Sequence, residues 1–545
     1  MILIRLTTSS YFWALVLICM TPLILCAQKG DKTKFKIKGN ISVGSFHYYD
    51  NGINQTLSPF GASFGVNANI SYGKFSIPIS VSINNQGTSF QNPFNRYGIS
   101  PTYKWIKVNL GWRRMQFSKF TMNGVQFFGV GMELTPGLFR FSAMHGKLDY
   151  RIAGLPRELI DNLPDRKISA IKLGVGSRRN YFNLVLMKAK DDIDFQDSLT
   201  KPKENAAIGA DLKFSLFKNK VVFTVDGGLS VFTENRKLDD EWLKNVSVPR
   251  VARSILDPNN STHVNYAVEA GLAFNFGVFS LKNLYRRVMP EYQSLGLNYL
   301  RNDQESLLFS PNLRLWKSKV NLSGSIGLEK NNLDGLRNLN QSRVISSANV
   351  NLRPHPSHSL NFQFANFSFD QTVKFDSLIT NSVVIQHVNR TIGGSYICTT
   401  FGSDKSQVFS ITANLQNAIN VTEESLSNTT FSATANYSIS KIDSKSSLNF
   451  GINYFDVSII DTNIRQVGLN AGYTYRMGNN SLSVQGGSMV SFGDKLLNNN
   501  LSFRYRMELT KKINLELSSR IRHNQRAKIG DKMLIRSDVR LMMKL

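Results

Sequence analysis

The chain has 545 residues and carries 65 Lys and Arg against 38 Asp and Glu, a formal charge of +27. A balance this basic points to anionic surroundings: nucleic acid, anionic lipid head groups or anionic solutes. Two of its three cysteines, Cys19 and Cys26, lie near the start, so the rest of the chain can hold neither an internal disulfide nor a cysteine-built metal site.

Residues 1–27 read as an export signal. Arg5 supplies the positive start, residues 11–26 the apolar stretch, and a cut after Ala27 leaves Gln28 first. Cys398 then remains alone, and residues 28–545 form a single domain. Beyond the signal no stretch approaches the roughly 20 apolar residues that a membrane helix needs. Export argues against nucleic acid as a partner, and no groove-reading helix or zinc-finger pattern is present.

From about Lys34 to the C-terminus one unit recurs, an alternating segment of about 10 to 14 residues followed by a polar turn. Val264, Tyr266, Val268, Ala270, Leu272 and Phe274 alternate with Asn265, Ala267, Glu269, Gly271 and Ala273. The same pattern runs through residues 320–329, 431–440 and 467–476. Successive side chains of a strand point to opposite faces, so each segment has one apolar and one polar face. The connections alternate short, as at residues 276–278, 317–319 and 402–405, and longer, as at 234–263 and 290–305. That alternation is expected of an all-β, up-and-down antiparallel transmembrane β-barrel, with lipid outside and an aqueous lumen. Roughly 25 segments, and the even number usual for such barrels, predict 24 or 26 strands. Outer-membrane lipid and lipopolysaccharide are then the partners of the outer face. Small solutes or a protein partner would occupy the inner one.

The rhythm falters between about Asn84 and Gly124, in a stretch dense in aromatics, Gly and Pro. Ile106, Val108, Leu110 and Trp112 alternate with Lys107, Asn109, Gly111 and Arg113, one strand inside it. The flanks, 91–102 and 115–124, fit neither a tight turn nor an ordinary external loop, and sidedness closes only if one flank, or the first segment, is unusual. Residues 92–124 are therefore either rim loops with interfacial aromatics, a constriction folded into the lumen, or a partner-docking surface. Phe94, Arg96, Tyr97, Phe117, Lys119 and Phe120 are the candidate constriction residues.

The run NPFNRYGISPTYKWIKVNLGWRRMQFSKFTMNGVQFFGVGMELTPG, residues 92–137, resembles the N-terminal signature of a Bacteroidota family of predicted outer-membrane β-barrel proteins without established activity. The Ala-Gln end of the export signal is similar to that group as well. The resemblance is specific over residues 92–137 and architectural beyond them. It implies a barrel in a Gram-negative outer membrane and supplies no mechanism. Such barrels often end in an aromatic residue, where this chain ends in Leu545; the alternation Val539, Leu541, Met543, Leu545 still reads as a final membrane strand.

Catalytic chemistry is not legible. The seven histidines are scattered, and His355 and His358 share a short turn with no acidic residue nearby. Asp191, Asp192, Asp194 and Asp197 lack a regular calcium-ligand spacing and read as solvated loop charge. No nucleophile elbow or phosphate-binding glycine loop occurs. No enzymatic activity, cofactor or metal is expected.

The run LSFRYRMELTKKINLELSSRIRH, residues 501–523, and the last strand carry Arg504, Arg506, Arg520, Arg522, Arg536 and Arg540 opposite the apolar row. Glu508, Glu516 and Asp538 share that face. An arginine facing mid-membrane lipid would cost about 2–4 kcal/mol, so all nine are expected to line the lumen. Six cations against three carboxylates leave either an ion-paired wall or a net-positive one that favours anions. The expected function is a pore or channel for solutes, porin-like and anion-favouring. The alternative is a structural, secretion or assembly component that scaffolds partners or guides a polypeptide or lipid.

Overall fold

The computed structural model describes residues 35–51, 59–84, 96–148, 165–192, 201–238, 256–373, 383–421, 427–441, 443, 445–459, 462–492, 496–526 and 530–545, and they are almost wholly antiparallel strand. The main sheet contains 27 strands. Two of them, Arg96–Ile99 and Thr102–Tyr103, lie between the same two neighbours and are halves of one stave. Consecutive staves pair in chain order, and the first strand, Phe35–Asp50, pairs with the last, Gly530–Lys544, from Asn40↔Lys544 to Asp50↔Leu534. The described residues thus form a closed ring of 26 antiparallel staves, and no sheet edge is left unpaired.

Alternation of connections runs through the whole ring. One end carries tight turns such as Tyr72 to Phe75, Tyr103 to Ile106 and Thr510 to Ile513. At the other lie the long connections after Arg114, Leu148, Asp191, Thr233 and Val288. The expected break near residue 100 does not occur. Ser100 and Pro101 interrupt a stave rather than a topology: Pro101 has no N–H to donate, and Ser100 instead donates its own to the Pro78 carbonyl at 2.9 Å. The first segment, suspected of irregularity, is an ordinary strand paired on both sides. Strands also outgrow the expected 10 to 14 residues: Val383–Phe401 has 19. At about 3.3 Å per residue that strand outreaches an apolar band about 25 Å tall even when tilted, so its ends stand in the aqueous or head-group zones.

Cross-strand pairs share a face, so orientation can be carried around the ring from register to register. One face bears Leu184, Leu186, Ile208, Leu229, Ile326, Phe450 and Leu541, all exposed and apolar. The other bears charged, amide and hydroxyl side chains. Exposed apolar surface costs roughly 25 cal/mol per Å² against water, so a continuous outward apolar wall is a lipid-facing one.

Candidate functional site: the inner wall and its inward segment

Residues 115–125 leave the strand Ile106–Arg114 and fold against the inner face of the ring. Phe117, Phe120, Thr121 and Met122 are at most 1% exposed. Met115, Phe117, Met122 and Val125 pack on Phe127, Met144, Ile168, Ala170, Val185 and Met187, an apolar patch on the inward faces of the next four staves. Fully burying a side chain of this size stabilises by about 1.5–3 kcal/mol, so the segment is held by its own core.

Polar bonds fix its backbone. Lys172 Nζ donates to the carbonyls of Gln116 at 2.9 Å and Phe117 at 3.3 Å. The Lys119 backbone N–H donates to Asp226 Oδ2 at 3.1 Å, and its ammonium pairs with Glu269, which Arg286 also holds at 2.7 Å. A second inward piece, from the connection after Val288, closes over the first. The Tyr292 hydroxyl donates to the Phe120 carbonyl at 2.7 Å, and Ser294 Oγ to the Thr121 carbonyl at 2.6 Å. Gly296–Leu297 pairs in parallel with Met122–Asn123. Ser230 and Asn205 on the wall anchor this piece through Gln293 and Leu295. Burial pushes the Tyr292 phenol up, so it stays a neutral donor.

The wall is cut to fit. Gly209 and Gly228 face each other across two strands on the inward side. A Cβ on Gly209 would come within 2.6 Å of Thr121 Cγ2 and 2.8 Å of Ser118 Oγ, and one on Gly228 within 2.8 Å of Phe120 Cβ. On a third stave, a Cβ at Gly131 would come within 2.3 Å of Met115 Sδ. Side chains are absent where the inward segment needs the room.

The expected constriction residues therefore separate. Phe117, Lys119 and Phe120 belong to the inward segment. Arg96 lies on the inward side of its stave, opposite Ser82. Tyr97 does not: it is half exposed on the outward face, edge-on to Phe128 at 5.7 Å, with Trp112 beside it. The period of two puts it there, because its neighbour Gly98 points inward. Phe94 lies outside the described residues.

One further expectation changes. Asp191 is not solvated loop charge: it is 2% exposed, bidentate to Arg166 at 2.6 and 3.0 Å, and accepts the Lys203 backbone N–H at 3.0 Å. Asp194 and Asp197 lie outside the described residues. His358, the first residue of the strand after its turn, shares a hydrogen bond of 2.8 Å with the Tyr396 hydroxyl on the next strand. Among the described residues no group of three or more His, Cys, Asp or Glu side chains could hold a metal ion.

Registers Arg504↔Ser518↔Asp538, Arg506↔Glu516↔Arg540 and Ser502↔Arg520↔Arg536 carry the closing arginines on the inward face. Arg522, opposite Asn500, and Glu508, opposite Asn514, lie on it too. Glu516 is held by Arg506 at 2.7 Å and approached by Arg504 at 3.8 Å, while Asp538 is taken by Arg536 of its own strand at 2.9 Å. The strands between the inward segment's side and this patch present inward amides and hydroxyls, with Gln363 bonded to Asn414 at 3.0 Å across the bare backbone of Gly393. The inner wall is thus divided: an apolar patch under the inward segment, an arc mainly of amides and hydroxyls that also holds the Arg343–Glu329 pair, and a cationic patch beside the closure.

The second inward piece and the apolar inner patch escaped sequence reasoning. The signal for the patch was Leu184, Val185, Leu186 and Met187, apolar on both faces, which a strand wet on one side does not need.

No protein-family model matches the chain, and no curated protein matches it. Among solved structures it is similar to the siderophore receptor PirA from Pseudomonas aeruginosa, at 9% identity over 94% of this chain and 81% of that one, with a TM-score of 0.37. It is similar to OpdQ from Pseudomonas aeruginosa at 9% identity, covering 93% and 98% with a TM-score of 0.32. It is also similar to the translocation pore of the P pilus usher PapC at 11% identity, covering 93% and 99% with a TM-score of 0.29. The likeness is one of barrel architecture.

Proposed function

We propose that the chain is an outer-membrane channel for hydrophilic solutes, delivered by its N-terminal export signal, with a lumen narrowed from one side by residues 115–125 and 289–302. The division of faces around a closed ring carries this reading: apolar side chains outward, amides, hydroxyls and charges inward. A wall of that kind is costly unless water fills the interior. Six inward arginines against three carboxylates support a preference for anions, since rings of Arg or Lys are the usual source of anion selectivity. The resemblance of residues 92–137 to a Bacteroidota barrel family supports the location.

The test is single-channel recording on purified protein in a planar bilayer, followed by reversal potential across a potassium chloride gradient. The expected result is an open conductance with anion preference that falls in Arg504→Ser/Arg506→Ser/Arg520→Ser/Arg522→Ser. A permanently sealed bilayer would overturn the channel reading in favour of a partner-dependent secretion or assembly component. Cation preference, or no shift in the variant, would make the arginines structural.

A further inference from the structure

We infer that the cationic patch is a discrete binding site for a multivalent oxyanion, of the phosphate or sulfate class, on the inner wall beside the barrel closure. The inference rests on the channel reading only in assuming that solutes reach this wall.

Three observations carry it. First, Arg520 and Arg536 stand directly opposite each other on adjacent strands, an arrangement that destabilises a sheet when nothing anionic lies between. Second, the local acids are already engaged. Glu516 is directly opposite Arg540 yet is bonded from its other side by Arg506 and approached by Arg504. Asp538 accepts two bonds from Arg536 Nε and Nη2, at 3.1 and 2.9 Å, and that guanidinium also lies 4.9 Å from the Phe46 ring centre. Among the described residues Arg520, Arg522 and Arg540 have no carboxylate within ion-pair distance. Third, Arg504, Arg520, Arg536 and Arg540 line one recess of about 360 Å³ with Ser502 and Ser518, and the engaged Glu516 and Asp538 line it too, leaving four cations against two carboxylates. Guanidinium forks and hydroxyls are all donors suited to a tetrahedral oxyanion, and an Arg fork binds two of its oxygens at once.

A single chloride would satisfy neither the number of free cations nor their forked geometry. A solute bearing a doubly charged phosphate or sulfate group would offset the opposed arginines and bridge strands 513–526 and 530–544.

Binding is measured directly, by calorimetric titration of inorganic phosphate into the folded, detergent-solubilised barrel at constant ionic strength. Saturable binding is expected, displaced by sulfate and at least about ten-fold tighter than formate, whose single charge and planar shape use fewer donors. Arg520→Gln/Arg540→Gln should weaken phosphate by at least about ten-fold, and Arg353→Gln, near the end of the remote strand Leu339–His355, should not. Folding of each variant is checked by heat-modifiable migration. Should the double variant not fold, Arg520→Lys keeps the charge, loses the fork and should still weaken binding. Absence of saturable binding, or equal affinity in the wild type and the folded variants, overturns the site. Ion conduction without phosphate binding would leave the channel and remove the site; phosphate binding in a non-conducting barrel would do the reverse.

Discussion

Substituting Gly228 by alanine should loosen the inward segment, while the same change at the adjacent Gly227 should leave it undisturbed. The two residues are neighbours on one strand and face opposite ways. A Cβ at Gly228 would stand 2.5 Å from the Tyr292 hydroxyl oxygen and 2.8 Å from Phe120 Cβ, whereas at Gly227 its nearest neighbour is the Ala267 carbonyl at 3.8 Å. Overpacking of that severity costs about 1–3 kcal/mol. Displacing Tyr292 also loses its 2.7 Å bond to the Phe120 carbonyl, about 1 kcal/mol more. Opening of the segment should therefore become easier by about 2–4 kcal/mol. Thr121, a fully buried residue of the segment itself, reports on that opening. Maleimide labelling of Thr121→Cys in a Cys398→Ser background should be slow in the parent and in Gly227→Ala. In Gly228→Ala it should be at least about 20-fold faster, since 1.4 kcal/mol is a factor of ten. Equal labelling rates in the two alanine variants would refute the claim that the wall glycines were cut to receive the segment.

Replacing residues 116–123 by a short Gly-Ser linker should raise single-channel conductance in a barrel that still migrates as folded, because Phe117 and Phe120 would no longer occupy the lumen; an unchanged conductance would mean the conducting path lies elsewhere. Arg166→Met should lower stability to urea by about 3–5 kcal/mol, because it strands the buried Asp191 carboxylate; a loss within about 0.5 kcal/mol, the range of surface changes, would make the pair incidental. Cysteines at Leu238 and Lys317 stand at opposite ends of the barrel. On intact cells Leu238→Cys should label and Lys317→Cys should not, because tight turns belong at the periplasmic end; the reverse pattern would invert the orientation. Asn259 would serve poorly in that experiment, being buried and bonded to the Asn235 carbonyl.

The alternation of apolar and polar residues determined the strands, and with them the face that each residue takes. Orientation is a local property with a period of two, so the inward position of Arg504 was legible from Leu501, Phe503 and Tyr505, that of Arg520 from Leu515, Leu517 and Ile521, and that of Arg540 from Val539 and Leu541. The same rule, applied one residue at a time, would have turned Tyr97 outward; the aromatic density of its neighbourhood hid a strand broken at Ser100 and Pro101. Strand number came within reach of counting and closure was expected of a barrel, but the register that closes it was not legible. It depends on the pairing of Phe35–Asp50 with Gly530–Lys544, nearly 500 residues apart. The course of residues 115–125 was decided by tertiary structure only. A connection carries no period, and the partners of this one are Lys172, Gly209, Asp226, Gly228, Glu269 and Tyr292, which come from four different strands and a later loop. Its direction is set by where a wall offers an apolar patch, bare glycines and carboxylates together. That coincidence exists only after the ring has formed.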